Sequence, residues 1–238
     1  HYNQSQGELI LNTDVYNGVR LIKTRGIGVG ISSNTTPQLR CTLVGSGADG
    51  EGFGNTSIGD DAGSFIGTNN TTTPSGGAGG ENTSIGFQAG SSAQQDSSVA
   101  LGYQAGRFSQ GLGSGSGQGS AIAIGGYAGY NVQADNAIAI GTSAQLGGSG
   151  NAAIAIGYQA GNNSQGAYSI AVGHQAGKTG LGQNSIVLNA SGSVLDNTTA
   201  SSLKINPIRL ETSAQSEVLQ YNSTTSEVVR YASSNFIQ

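Results

Sequence analysis

Two residue types are missing from this chain of 238 residues, and several others are scarce. There is no Met and no Trp, charged residues make up 9%, and there are three Pro, two His and one Cys. The lone Cys41 excludes a disulfide framework within the chain. No apolar run reaches membrane-spanning length and no segment is signal-like, which argues against membrane insertion. A net charge of -4, without any basic cluster, argues against a nucleic-acid partner. Between Phe108 and Gly177 the only charged residue is Asp135. A β-helical lyase or hydrolase needs clustered carboxylates or a basic catalytic group in a groove, and the repeat region has almost none. We therefore expect no catalytic residues, no metal site and no cofactor.

What is abundant is glycine, at 41 positions. It does not fall on every third residue, which excludes collagen. The Gly/Ser content would fit a disordered chain, but disorder does not space Ile pairs evenly. Alignment on the glycine after each short apolar run gives Gly59, Gly86, Gly102, Gly125, Gly141, Gly157 and Gly173, spaced 27, 16, 23, 16, 16 and 16. The excess in the two long intervals sits in "TNNTTTPSGGAGG" and "GLGSGSGQG", expected as loop insertions near 64–81 and 109–119. Sixteen residues on, Asn189 stands where the glycine is lost. Upstream, Gly45 and Gly30 continue the series more weakly.

Within each unit the residue before the glycine is apolar, as at Ile124, Ile140 and Ile156. Two earlier stands a β-branched residue, Thr56, Thr83 and Val99 in the first units and Ile122, Ile138 and Ile154 later. Small residues such as Ala123, Ala139 and Ala155 lie between. Period-2 alternation predicts short strands with the larger side chains on one face, and we expect Ile124, Ile140 and Ile156 to stack as an inward ladder. Three residues after each glycine comes an alanine, usually followed by another glycine. An inward position that holds only alanine implies a narrow interior.

Helical repeats fail on the glycine count and on the alternation. A parallel β-solenoid remains, one coil per sixteen residues, with equivalent residues stacked about 4.8 Å apart. So thin a core predicts coils that pack against copies of themselves. We expect an all-β chain in three parts: an N-terminal β cap or anchor over 1–26, the repeat domain over 27–192, and a C-terminal β module over 193–238. Asn17-Gly18 signals a hairpin in the first part, and Asn222 to Ser226 a turn in the last.

Several motifs yield to plain readings. "GHQAGKT" has three residues between Gly173 and Gly177 where a phosphate loop needs four, and no helix follows. Asp60 and Asp61 fall at a coil corner, where solvation explains them. "GADGEGFGN" resembles a calcium-binding nonapeptide but occurs once, whereas such sites need stacked copies. The Asn-X-Ser/Thr sequons follow from a composition rich in those residues.

One position carries a candidate site. Phe87, Tyr103, Tyr158 and His174 occupy equivalent places, with Gln88, Gln104, Gln159 and Gln175 beside them. Rings and amides together suit sugars, so this is a candidate glycan-binding stripe. The other reading is a subunit contact or corner packing, and the pattern leaves both open.

The units "NTSIGFQAG", "SVALGYQAG", "AIAIGYQAG" and "SIAVGHQAG" resemble the head repeat of trimeric autotransporter adhesins, over roughly Asn55 to Gly192. That resemblance implies a left-handed parallel β-roll assembled as a homotrimer. The run from Asn184 to Ser234, with "NPIR" at Asn206 to Arg209, is similar to fibre-like proteins of large DNA viruses of algae and protists, and of some phages. In such proteins a self-cleaving chaperone often follows. The start at His1, without an initiator Met, suggests processing or missing upstream sequence. Together the resemblances imply a structural fibre on a virion surface, joined to other virion proteins through its N-terminal segment and able to contact host glycans. The alternative they imply is a bacterial cell-surface adhesin head.

Overall fold

Residues 2–3, 8–9, 29–30, 42–45, 48, 54–64, 81–111, 119–209 and 217–232 are described by a computed structural model, and among them there is no helix. The chain divides into a unit over 1–207 and a unit over 208–238.

The first unit is a parallel β-solenoid. One 11-stranded sheet takes its strands in chain order: Val29–Gly30, Thr42–Val44, Thr56–Ile58, Thr83–Ile85, Val99–Leu101, Ile122–Ile124, Ile138–Ile140, Ile154–Ile156, Ile170–Gly173, Ile186–Asn189 and Leu203–Asn206. From Thr42 onward pairing is parallel, and the regular coils keep the sixteen-residue register, so Ala139 lies opposite both Ala123 and Ala155. Register survives both insertions, with Ile58 opposite Ile85 and Leu101 opposite Ile124. The inserted residues 65–80 and 112–118 lie outside the described residues. Gly111 and Gly119, which bound the second insertion, lie so close that a Cβ on Gly111 would stand 2.6 Å from the Cα of Gly119. Beyond the strands, coil-to-coil bonds continue around the corners, as from Gly106 N to the Ala128 carbonyl (2.8 Å) and from Gly129 N to that of Ala144 (2.8 Å).

Geometry explains why a glycine ends the strand. Gly141 has φ +122°, and a Cβ there would stand 2.6 Å from the Gly157 carbonyl oxygen. Any side chain would clash with the next coil and strain the backbone. Gly45 belongs to the same ladder, at φ +135° against Gly59. Gly30 does not, because Val29–Gly30 pairs antiparallel with Thr42–Val44, placing Gly30 opposite Leu43. At the other end the sheet runs past 192. Asn189 pairs with Gly173 on one side and Asn206 on the other.

The expected inward ladder of Ile124, Ile140 and Ile156 is turned outward. These side chains are half-buried or exposed, Ile156 at 39%. The residues between them, Ala123, Ala139 and Ala155, are fully buried, as are Ser57, Ser84, Ala100, Ala171 and Val187 in the same row. The cause is room. Corner alanines, including Ala105, Ala128, Ala144 and Ala160, are also fully buried, so the lumen is closed by methyl groups from two sides. A row of Ile would overfill it.

The rest of the lumen holds a ladder of glutamines that the sequence reading did not include. Gln94, Gln110, Gln133 and Gln145 are completely buried and Gln165 nearly so. Gln110 Nε2 donates to the carbonyls of Val99 (2.7 Å) and Ala121 (3.1 Å), and Gln165 Nε2 to that of Ile154 (2.7 Å). Along the ladder, Gln94 Nε2 donates to Gln110 Oε1 at 3.1 Å and Gln145 Nε2 to Gln165 Oε1 at 2.8 Å. Buried amides are tolerable because every Nε2 of the ladder is bonded this way, while the Gln133 Oε1 is left without a partner among the described residues. They also account for the Ala-Gly pairs. A Cβ on Gly129 would meet Gln133 Oε1 at 2.5 Å. In the coil where Ser149 replaces the glutamine, the glycine after the corner alanine becomes Gln145, which enters the lumen instead.

Of the remaining parts, Tyr2–Asn3 pairs antiparallel with Glu8–Leu9, while Asn17-Gly18 lies outside the described residues. The 208–238 unit contains one antiparallel hairpin, Glu217–Asn222 with Glu227–Ala232. Its turn is held by Asn222 Oδ1, which accepts from the backbone N–H of Thr224 at 2.9 Å.

Candidate functional site

The residue after each strand-ending glycine stands at a coil corner. Backbone bonds repeat there: Gln104 N to the Phe87 carbonyl (2.8 Å), Tyr127 N to Tyr103 (2.9 Å), Ser143 N to Gly126 (2.9 Å), Gln159 N to Thr142 (3.0 Å) and Gln175 N to Tyr158 (2.8 Å). Phe87, Tyr103, Gly126, Thr142, Tyr158 and His174 therefore form one column, one coil apart. The four rings are exposed, Tyr103 and Tyr158 each at 47%.

The column is two stacks. Phe87 and Tyr103 lie 5.4 Å apart at 12°, and Tyr158 and His174 lie 5.4 Å apart at 19°. Gly126 and Thr142 separate the pairs. Stacking turns the rings toward one another, so within a pair they offer solvent mostly edges; a free face exists only where a stack ends. The glutamines follow the same division. Gln104 Nε2 donates to Gln88 Oε1 at 2.8 Å, and Gln175 Nε2 to Gln159 Oε1 at 2.9 Å. All four sit in the left-handed region at φ 52–53°. Each pair thus commits one donor and one acceptor within the column.

Beside the first stack lies a cluster the sequence reading passed over. Tyr127 occupies the glutamine position, at φ 58°, and meets Tyr103 edge to face at 5.2 Å and 72°. Tyr130 packs on Tyr127 at 5.5 Å, and Phe108 on Tyr130 at 5.2 Å. Arg107 lies 4.7 Å over the Phe108 ring, and its Nη1 donates to the Tyr130 hydroxyl at 3.2 Å. The hydrogen bond with Tyr103 raises the Tyr127 phenol above its ordinary value, helped by desolvation and by the neighbouring tyrosines, while Arg107 pulls it down. The signal was in "GGYAGY", where glycine and tyrosine take the places that tyrosine and glutamine hold in "GYQAG".

On another side of the coils a shallow hollow of about 330 Å³ lies among Gly147, Ser149, Asn163, Gln165, Gly166 and Leu181. None of these side chains ionises, so it offers no acid–base chemistry. No family model, curated protein or solved structure matches the chain.

Proposed function

We propose that this protein is a non-enzymatic structural fibre that assembles as a homotrimer and is displayed on a virion surface, with the aromatic column available for attachment. The outward strand face carries the reading. Ile58, Leu101, Ile156 and Leu188 lie 37–40% exposed, in register along one sheet. A continuous apolar row of this kind marks an interaction surface. A second copy of the same repeat presents the same row at the same spacing, so self-association covers it coil for coil. The resemblance of the coils to trimeric adhesin heads favours three copies. The N-terminal segment is the proposed junction with other surface proteins.

The same resemblance supports a bacterial adhesin head as the second reading. Mass spectrometry of purified virus particles against cell envelopes separates the two locations. Assembly is tested by sedimentation equilibrium of the purified protein. The expected mass is three times the 23.7 kDa chain. A stable monomer at micromolar concentration overturns the proposal.

A further inference from the structure

The interruption in the aromatic column is a better binding feature than the column itself. Among the described residues a Cβ at Gly126 would meet nothing within 4 Å beyond its own chain neighbours, so a side chain has room to start there. Thr142, in the next coil, is exposed and short. Among the described residues Tyr158 meets one ring only, His174, which lies in the following coil. The side of Tyr158 toward Thr142 therefore ends the second stack as an uncovered aromatic face. On the far side, Tyr127 is turned 72° from Tyr103 and brings an edge and a hydroxyl rather than a continuing face. From Tyr103 to Tyr158 is three coil steps, about 14 Å by strand spacing, which leaves the height of about one to two rings between the stacks.

We propose that this notch, floored by Gly126 and Thr142 and closed by Tyr127 and Tyr158, binds one ring of a saccharide. A sugar's C–H face packs on an aromatic face, and its hydroxyls need donors and acceptors at the rim. The notch supplies both: the Tyr158 face on one wall, and the hydroxyls of Thr142 and Tyr127 around it. The Tyr127 hydroxyl is already hydrogen-bonded with Tyr103, so toward a sugar it offers its remaining lone pair as an acceptor, and Thr142 supplies the donor. A planar base would be served better by two parallel faces, which the tilt of Tyr127 denies. A nucleotide phosphate would need cations, and Arg107 is the only Lys or Arg between Gly45 and Gly177. Each notch binds weakly, and copies in one assembly add strength.

The inference rests on the reading that this edge faces solvent in the assembled protein, so its test reads binding and mass separately. The probes are chitotriose, sialyllactose and adenosine, added to the assembled full chain and followed by saturation-transfer NMR. The informative variant is Gly126→Tyr, which restores the missing ring where the backbone already leaves room. Thr142→Tyr is the second, should the first fold poorly. For the wild type we expect binding of at least one saccharide, with transfer from tyrosine ring protons. Either variant should weaken it roughly tenfold, with sedimentation mass unchanged. Equal binding by the filled variants overturns the notch. Adenosine bound in place of both saccharides overturns the ligand class, and failure of all three probes overturns the site. A changed mass in the filled variants places this edge in a subunit contact and overturns its exposure. A wild-type monomer that still binds saccharide sinks the assembly reading and leaves the notch standing.

Discussion

The two faces of a single strand, Ile138–Ile140, obey opposite rules. Ala139 points into the lumen and is fully buried, while Ile138 and Ile140 point out and are half-buried. In an ordinary sandwich the larger side chains would be inside. Here the lumen is specified by size and hydrogen bonding, through methyl groups and bonded amides. The outer face is specified by apolar character and by its repetition from coil to coil. The coil thus closes with small residues and bonded amides, and its larger apolar side chains are turned outward.

Neighbouring positions should then respond in opposite ways. Ala139→Leu is expected to do the most damage, because a leucine has no room between Ala123 and Ala155. It should cost about 3 kcal/mol in a denaturant titration, with loss of the β signal in circular dichroism. Gln133→Leu should cost about 2 kcal/mol. It removes the amide that donates to the carbonyls of Ile122 (2.8 Å) and Ala137 (3.1 Å). An unchanged denaturation midpoint there would mean that the lumen is apolar in effect. Ile140→Ser combined with Ile156→Ser should disturb the coil least, by about 1 kcal/mol or less at concentrations where the protein is monomeric. The same pair should shift the sedimentation mass toward one chain. If the pair unfolds the coil, the outer face belongs to the core after all.

Much of this architecture can be read from the residues. The glycine at each strand end fixed the register, the insertions and the strand positions, because a Cβ there collides with the next coil. The corner alanines announced a narrow interior. Which strand face turns inward was not legible. Alternation distinguishes two faces without orienting them, and the tendency to bury larger residues pointed the wrong way in a lumen one side chain wide. The glutamine ladder escaped because a lone glutamine resembles surface. Its trace is spacing: Gln94, Gln110, Gln133 and Gln165 each follow a corner alanine by five residues. At the column the rings were legible but their interruption was not weighed. What matters at Gly126 and Thr142 is the side chain that a neighbouring coil has and these lack.

The touching of Gly111 and Gly119 bears on how such a protein can change. The chain leaves the coil and rejoins it at one point, while Leu101 and Ile124 keep their pairing across it. Closing a longer loop between fixed, adjacent ends adds only about 0.6 kcal/mol for each doubling of its length. The neck is in that sense a socket. A foreign epitope or enzyme tag grafted there should leave the pairing of Leu101 with Ile124 unchanged.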